Sequence, residues 1–235
     1  MKKNIIIAVL AAALVATGAA FGVTASKLKK EAASNKMAAD FKQMSWDGLL
    51  VSWERCIAKM QISADAAFFG DSITELSDFQ LFFPDKKIVE LGFAGDWVNG
   101  MWKRVKTVSA VNPKKLFIMG GINDLYASEP QQVAERFDSL LTSLAKEVPQ
   151  TTIYVQSILP VSHEKEDFYS PNWEIAETNK LIEKVADDHG CTFVDLFSLY
   201  LENDVLPDSL TFDGVHLTPK GYTRWANRIA EYINE

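Results

Sequence analysis

Five short apolar runs, separated mostly by stretches with helical spacing, constrain the fold of this chain more than any other feature. The runs lie at 66–69, 87–91, 115–119, 152–156 and 192–195, and the helical stretches at 98–108, 130–148, 173–189 and 219–233. Strand and helix in repetition are typical of a parallel sheet with helices on both faces, and nearly continuous apolar strands fit burial on both sides. We therefore predict an α/β protein with a central five-stranded parallel sheet.

The first 26 residues differ in kind from the rest. Lys2 and Lys3 precede a run from Ile5 to Ser26 that contains no charged residue. The charged start, the apolar run and the small residues before Ser26 favour a cleaved signal peptide, and the length of the run suits an uncleaved membrane anchor nearly as well. Either alternative predicts an extracytoplasmic protein, secreted, periplasmic or anchored, whose membrane contact is confined to this segment.

The remaining chain divides into two parts. Residues 27–60 are predicted to form a polar spacer that leads into an amphipathic helix at 41–60, and residues 61–235 a single globular domain. The net charge of −7 and the lack of a basic stripe argue against a nucleic-acid partner. Cys56 and Cys191 are widely separated, which favours two buried thiols over one disulfide, and no Cys/His spacing suits a structural metal.

Polar clusters follow the first three predicted strands. They are Gly70-Asp71-Ser72, Gly92-Phe-Ala-Gly95-Asp96 and Gly120-Gly-Ile-Asn123-Asp124. One glycine after a strand usually makes only a turn. Three clusters after successive strands indicate more, because the carboxyl ends of parallel strands share one sheet edge, where ligands bind in open α/β folds.

The clusters supply the parts of an acyl-transfer site when they are combined with Asp213-Gly-Val-His216. Ser72 offers a hydroxyl nucleophile, although a serine in such a turn is often only a helix cap. His216 is the best placed of three histidines to act as its base. Asp213 can accept the Nδ1–H of that histidine and so orient it.

Ester hydrolysis also needs hydrogen-bond donors for a tetrahedral oxyanion. The backbone N–H groups of Ser72 and Gly95 and the side-chain amide of Asn123 are the candidates. The alternatives are a simple loop turn for Gly95 and an Asx-turn for Asn123.

The three clusters and Asp213-Gly-Val-His216 form four sequence blocks. In their order, these blocks resemble those of the SGNH hydrolase superfamily, the GDSL-type esterases and lipases, and the resemblance covers residues 64–233. The resemblance implies a three-layer α/β/α flavodoxin-like fold without a metal or cofactor. It implies Ser72 as the nucleophile, Asp213 and His216 as the rest of a catalytic triad, and Gly95 and Asn123 as oxyanion donors beside the Ser72 N–H.

Within the superfamily, residues 90–96 and the following Trp102-Lys-Arg-Val are similar to the branch with acetylhydrolase-like and carbohydrate acetylesterase-like members. Glu90 and Trp97 depart from the Asn and Thr frequent in that branch. We expect a serine esterase for short acyl groups, most notably acetyl groups on carbohydrate. A lysophospholipase or thioesterase, and a non-catalytic carbohydrate-binding domain, are the alternatives.

Four further residues are candidates for substrate contact: Asp71, Trp97, His163 and Trp173. Trp97 offers a stacking face for a sugar. His163 and Trp173 lie on the long connection 159–173, and long loops at this edge are commonly functional. The alternative is a solvated loop with aromatic residues that dock onto the domain.

Overall fold

The computed structural model describes residues 62–162 and 170–235, together with Lys36, Gly48, Ser52, Cys56 and Lys59. The chain divides into two compact units, Met1–Ser52 and Trp53–Glu235, and the sheet lies in the second. Apart from the five isolated residues, the predicted leader or anchor, the spacer and the helix at 41–60 lie outside the described residues. Among the helices that are described, none has the length and apolarity to cross a membrane.

The second unit contains a five-stranded parallel sheet, as predicted. Its strands are β1 (Ala66–Gly70), β2 (Ile88–Gly92), β3 (Lys115–Met119), β4 (Thr152–Gln156) and β5 (Thr192–Val194). Their order across the sheet is β2-β1-β3-β4-β5, and every pair is parallel. The order reverses between β1 and β3, and a crevice for ligands opens at such a reversal, beyond the carboxyl ends of the strands.

Helices connect the strands and cover the sheet. They are α1 (Ser72–Glu75), α2 (Phe79–Phe82), α3 (Val98–Lys103), α4 (Val105–Val111), α5 (Pro130–Glu147), α6 (Asn172–Asp188), α7 (Phe197–Tyr200) and α8 (Pro219–Asn234). Helices α3 to α6 pack side by side, and α2 packs against α8. The helix predicted at 98–108 is two helices that meet at Arg104. The four-residue helices α2 and α7 were not predicted, whereas the turn into α1 was expected at Ser72.

One aromatic side chain from each of three neighbouring strands lies on the same rung of the sheet. Phe68, Phe117 and Tyr154 pair across β1, β3 and β4. Phe79 of α2 and Tyr232 of α8 extend this aromatic row, with successive ring centroids 3.9 to 5.1 Å apart. The row places α2 and α8 on the sheet face that these rings share, and aromatic pairs of this kind add stability beyond their buried area.

Candidate active site

Ser72 lies where β1 ends and α1 begins. The Asp71 carboxylate caps this short helix, because its Oδ1 accepts the N–H of Ile73 at 3.0 Å. Gly92 at the end of β2 lets α1 approach closely, since a Cβ there would lie 2.1 Å from the Glu75 nitrogen. The Tyr222 hydroxyl of α8 donates to the Ile73 carbonyl at 2.7 Å. Contacts from both sides therefore fix Ser72 at the carboxyl edge of the sheet.

His216 and Asp213 occupy the loop before α8 and reach the serine. His216 Nε2 lies 2.9 Å from Ser72 Oγ, and His216 Nδ1 lies 2.5 Å from Asp213 Oδ2. The other carboxylate oxygen, Asp213 Oδ1, accepts the backbone N–H groups of Val215 and His216 at 3.0 and 2.8 Å. The side chains of Ser72, His216 and Asp213 thus form one continuous hydrogen-bonded chain.

The environment of Asp213 keeps it ionised. Partial burial acts to raise its pKa, but the hydrogen bonds from the His216 ring and from the two backbone N–H groups outweigh burial and lower the pKa below its usual value. An ionised Asp213 accepts the Nδ1–H of the imidazole. Nε2 of the neutral ring is then the nitrogen without a hydrogen, and it faces the serine hydroxyl.

The loops after β2 and β3 are joined through Asp96. Asn123 donates one Nδ2–H to the Asp96 carbonyl at 2.9 Å, which leaves the second hydrogen of its amide for another acceptor. The neighbouring Asp124 accepts the N–H of Val98 at 2.9 Å and forms an ion pair with Arg136 at 2.6 Å. Gly95 has a φ of 71°, a left-handed conformation that favours glycine.

Of the residues predicted for the site, Ser72, Asp213 and His216 are in direct contact, and Asn123 is bonded to the residue that follows Gly95. Their catalytic roles stay predictions. Two of the predicted substrate contacts, Trp97 and Trp173, have exposed side chains at 37% and 68%. His163 lies outside the described residues.

Asp71 does not suit the substrate contact predicted for it. Its side chain is 1% exposed and caps α1, so it faces the interior. Its second oxygen, Oδ2, has no hydrogen-bond partner within the described part of the chain. Burial, with the nearby Asp96 carboxylate, raises the pKa of Asp71 to about 7.

Sequence reasoning missed several residues that surround the site. Phe212 is 60% exposed and stacks on the His216 ring, with centroids 5.7 Å apart. Tyr126, which closely follows Asn123, is 56% exposed. Arg104 is fully buried and bonded to Asp96. Phe212 directly precedes Asp213-Gly-Val-His216, and Tyr126 closely follows Gly120-Gly-Ile-Asn123-Asp124. Their closeness in sequence to these motifs was the only feature that could have identified them.

The described residues also bear on the predictions about thiols and metals. Cys56 is exposed and Cys191 is partly buried, and both are free thiols, so the prediction of two buried thiols is wrong for Cys56. Within 62–162, 170–235 and the isolated positions, no cluster of three or more His, Cys, Asp or Glu could hold a metal ion.

Comparisons with known proteins agree with this geometry. The model of the GDSL-like Lipase/Acylhydrolase family matches residues 68–224, whereas no curated protein matches the chain. A structure from Streptococcus pneumonia, assigned as a platelet activating factor, is 23% identical, with a TM-score of 0.68 over 81% of this chain and 97% of that one.

Two further solved structures share the fold. A GDSL-like lipase from Bacteroides thetaiotaomicron is 24% identical, with a TM-score of 0.63 over 72% of this chain and 87% of that one. The acetyl xylan esterase AlAXEase is 21% identical, with a TM-score of 0.58 over 71% and 98% of the two chains. At these identities the likeness shows a common fold, the three-layer α/β/α arrangement expected from the sequence.

Proposed function

The chain belongs to the GDSL-like lipase/acylhydrolase family and is an ester hydrolase, and we propose that it removes short acyl groups, acetyl above all, by a serine-based mechanism. The observation that carries the mechanism is the hydrogen-bonded chain from Ser72 through His216 to Asp213. A hydroxyl, an imidazole and a carboxylate in this order are the arrangement that activates serine for attack on an ester carbonyl.

In the acylation half, Ser72 Oγ attacks the carbonyl carbon while its proton passes to His216 Nε2. Asp213 stabilises the imidazolium that forms. The negative charge that develops on the carbonyl oxygen requires donors about 3 Å away. We assign these to the N–H of Ser72, the N–H of Gly95 and the free Nδ2–H of Asn123.

The tetrahedral intermediate then collapses, and His216 gives the proton to the departing alkoxide, which leaves as the alcohol and completes acylation. In the deacylation half, a water molecule attacks the acyl group on Ser72 with His216 again as the base, and the second tetrahedral intermediate collapses as His216 returns the proton to Ser72 Oγ. The product acid and the free serine hydroxyl result. The mechanism needs no group beyond the side chains and backbone N–H donors already described.

Carbohydrate is the proposed alcohol portion of the substrate. Aromatic side chains with exposed surface lie near the carboxyl edge of the sheet: Trp97 after β2, Tyr126 after β3, Trp173 at the start of α6 and Phe212 beside His216. Such side chains stack on sugar rings. The likeness of the fold to an acetyl xylan esterase adds support for an acetylated carbohydrate.

Two other functions remain as alternatives. A lysophospholipase or thioesterase would use the same three side chains on a longer acyl chain or on a sulfur ester. A non-catalytic carbohydrate-binding domain would use the aromatic faces without the triad. We also propose an extracytoplasmic location, on the strength of the charge-free run from Ile5 to Ser26.

The proposed function is tested by Ser72→Ala in the full chain. We expect hydrolysis of p-nitrophenyl acetate to fall at least about 10³-fold, because the nucleophile of the acyl-enzyme is lost. A fluorophosphonate probe should label the wild-type protein and not the variant. Ser139→Ala, which removes an exposed hydroxyl on α5, is the matched control and should retain wild-type turnover.

Substrate class is tested with the wild-type protein. We expect kcat/KM to fall as the acyl chain of p-nitrophenyl esters grows beyond acetyl, and acetylated xylo-oligosaccharides to release acetate. An optimum at long acyl chains would favour the lysophospholipase or thioesterase alternative. A folded wild-type protein that takes no fluorophosphonate would identify a binding domain instead.

A further inference from the structure

Arg104 is a buried cation whose hydrogen-bonding nitrogens are all used beneath the proposed site. It lies between α3 and α4, and its side chain is 1% exposed. Its Nε donates to Asp96 Oδ2 at 2.8 Å, its Nη1 to the Leu91 carbonyl at 2.7 Å, and its Nη2 to the Gly70 carbonyl at 2.7 Å. One planar group therefore joins the ends of β1 and β2 to the loop that follows β2.

Neighbouring groups fix the orientation of the guanidinium. Its carbon lies 4.3 Å from the centroid of the Phe69 ring and 4.9 Å from that of Phe93. Attraction between a cation and an aromatic face is strongest where water is excluded, as it is here. The Gly70 carbonyl also accepts the N–H of Phe93 at 3.0 Å, so the two loops are tied together at the point that Arg104 binds.

Asp96 transmits this position to the proposed oxyanion donors. It directly follows Gly95, and its carbonyl accepts the Asn123 amide at 2.9 Å. Its Oδ1 accepts the N–H of Trp97 at 3.0 Å while Oδ2 binds Arg104. A Cβ at Gly100 would lie 1.8 Å from Asp96 Oδ1, so the absence of a side chain at Gly100 makes room for this carboxylate.

We infer that Arg104 is the positioning residue of the oxyanion hole: through Asp96 it sets where the Gly95 N–H and the Asn123 amide point. The inference rests on the proposed function, because it assigns a task to donors that only an acyl-transfer reaction uses. Ser72, His216 and Asp213 make no direct contact with Arg104 among the described hydrogen bonds. Loss of Arg104 should thus impair the binding of the transition state rather than the binding of substrate.

The test compares Arg104→Lys with the wild-type protein. Lysine keeps the positive charge but lacks the planar fork that binds three acceptors at once. We expect kcat for p-nitrophenyl acetate to fall between about tenfold and the 10²- to 10³-fold that follows loss of an oxyanion donor. KM should stay within about threefold. The inhibition constant of phenylboronic acid, which forms a tetrahedral adduct on the serine, should rise by the same factor as kcat falls.

Two further variants keep the test decisive if Arg104→Lys does not fold. Gly100→Ala displaces the Asp96 carboxylate by steric contact, and Asp96→Asn removes the ion pair while it keeps the carbonyl that binds Asn123. Both should show the same loss of kcat and of boronate affinity. Arg224→Lys is the control. This partly exposed arginine of α8 also donates to a backbone carbonyl, that of Leu199 on α7, and its described hydrogen bonds reach no residue of the proposed site.

Wild-type kcat and boronate affinity in a folded variant, at a temperature below its melting point, would overturn the inference and leave Arg104 a purely stabilising residue. This result differs from failure of the proposed function. If the enzyme does not use Ser72 at all, wild-type protein and Ser72→Ala hydrolyse the ester at equal rates, whatever Arg104→Lys does.

Discussion

The Asp213 carboxylate is placed by three hydrogen bonds that come from only two residues, and the replacement Asp213→Asn tests that placement. An amide can donate to His216 Nδ1 and favour the wrong tautomer, so we expect kcat to fall about 10³- to 10⁴-fold with little change in KM. Steady-state kinetics with p-nitrophenyl acetate provide the measurement. A variant within tenfold of wild-type kcat would remove Asp213 from the mechanism.

The same substitution has a consequence for stability. Because folding lowers the pKa of Asp213, the ionised side chain stabilises the native state above its unfolded pKa, and this contribution is lost as the pH falls through the folded pKa. The melting temperature of Asp213→Asn should therefore decline less steeply than that of wild type below about pH 4.

Asp71 predicts the opposite dependence on pH. Its pKa is about 7 in the fold and about 3.9 when unfolded, so the native protein holds the extra proton between these values. Stability from this group is full below the unfolded pKa and is lost as the pH rises toward 7. Asp71→Asn should remove that slope, and its melting temperature relative to wild type should be higher at pH 8 than at pH 5.

The control for Asp71 is Asp65→Asn, measured by the same melts. Asp65 accepts a hydrogen bond from the Lys114 ammonium at 2.7 Å, and this bond, together with one from the Lys87 N–H, lowers the pKa of Asp65. The relative melting temperature of this variant should therefore be higher at low pH than at high pH. If the melting temperatures of both variants, relative to wild type, change with pH in the same direction, burial of Asp71 does not control its titration.

Some residues around the proposed site could be predicted from the sequence, and others could not. Ser72 and His216 could be predicted because their chemistry is distinctive and histidine is rare in the chain. The role of Arg104 could not, although the residue stands in the quoted Trp102-Lys-Arg-Val, since two of its three partners are backbone carbonyls, which every residue possesses. The substrate contact predicted for Asp71 does not fit the structure, because its side chain turns inward although the adjacent Ser72 is only partly buried.

At the scale of elements, the contact between α1 and the end of β2 determines where Ser72 stands. Gly92→Ala places a Cβ against the backbone of Thr74 and Glu75. We expect a loss of stability of about 1–3 kcal/mol from overpacking, and a fall in kcat of more than tenfold because α1 carries Ser72, the proposed nucleophile. Chemical denaturation and ester kinetics measure the two effects.

Gly190→Ala is the control that separates the loss of stability in Gly92→Ala from its loss of kcat. Gly190 has a φ of 68° and open space around it, so alanine costs about 1–2 kcal/mol through its backbone conformation alone. Its kcat should equal that of wild type. Equal kcat values for Gly92→Ala and wild type would show that α1 does not depend on this contact.

Elements were predictable to the extent that they are long or apolar. All five strands were found within one residue or so, because doubly covered strands are nearly continuous apolar runs. The helices α1, α2 and α7 have four residues each, too few to show a period of 3.6. The division of 98–108 at Arg104 was hidden because both halves keep their apolar residues on one face.

At the scale of the whole molecule, the strand order explains why distant segments of sequence share one site. Strands β1 and β3 are adjacent and parallel, so the loops that carry Ser72 and Asn123 leave neighbouring strands at the same edge. The alternation of strands and helices predicted that edge, and the blocks of polar residues marked it. Neither could predict the aromatic row beneath it, because the pairing of Phe68, Phe117 and Tyr154 depends on register between strands.

The bond between His216 Nε2 and Ser72 Oγ joins residues 144 positions apart, and this spacing has a consequence for biosynthesis. Synthesis proceeds from the amino terminus at about 5–20 residues per second, so Ser72 exists for several seconds before His216, its proposed base, has been added. If the proposed pair is correct, a nascent chain holds a serine that is not yet activated. Esterase activity should then begin only after residue 216 has been added and has packed against Ser72, and its appearance would report that step of folding.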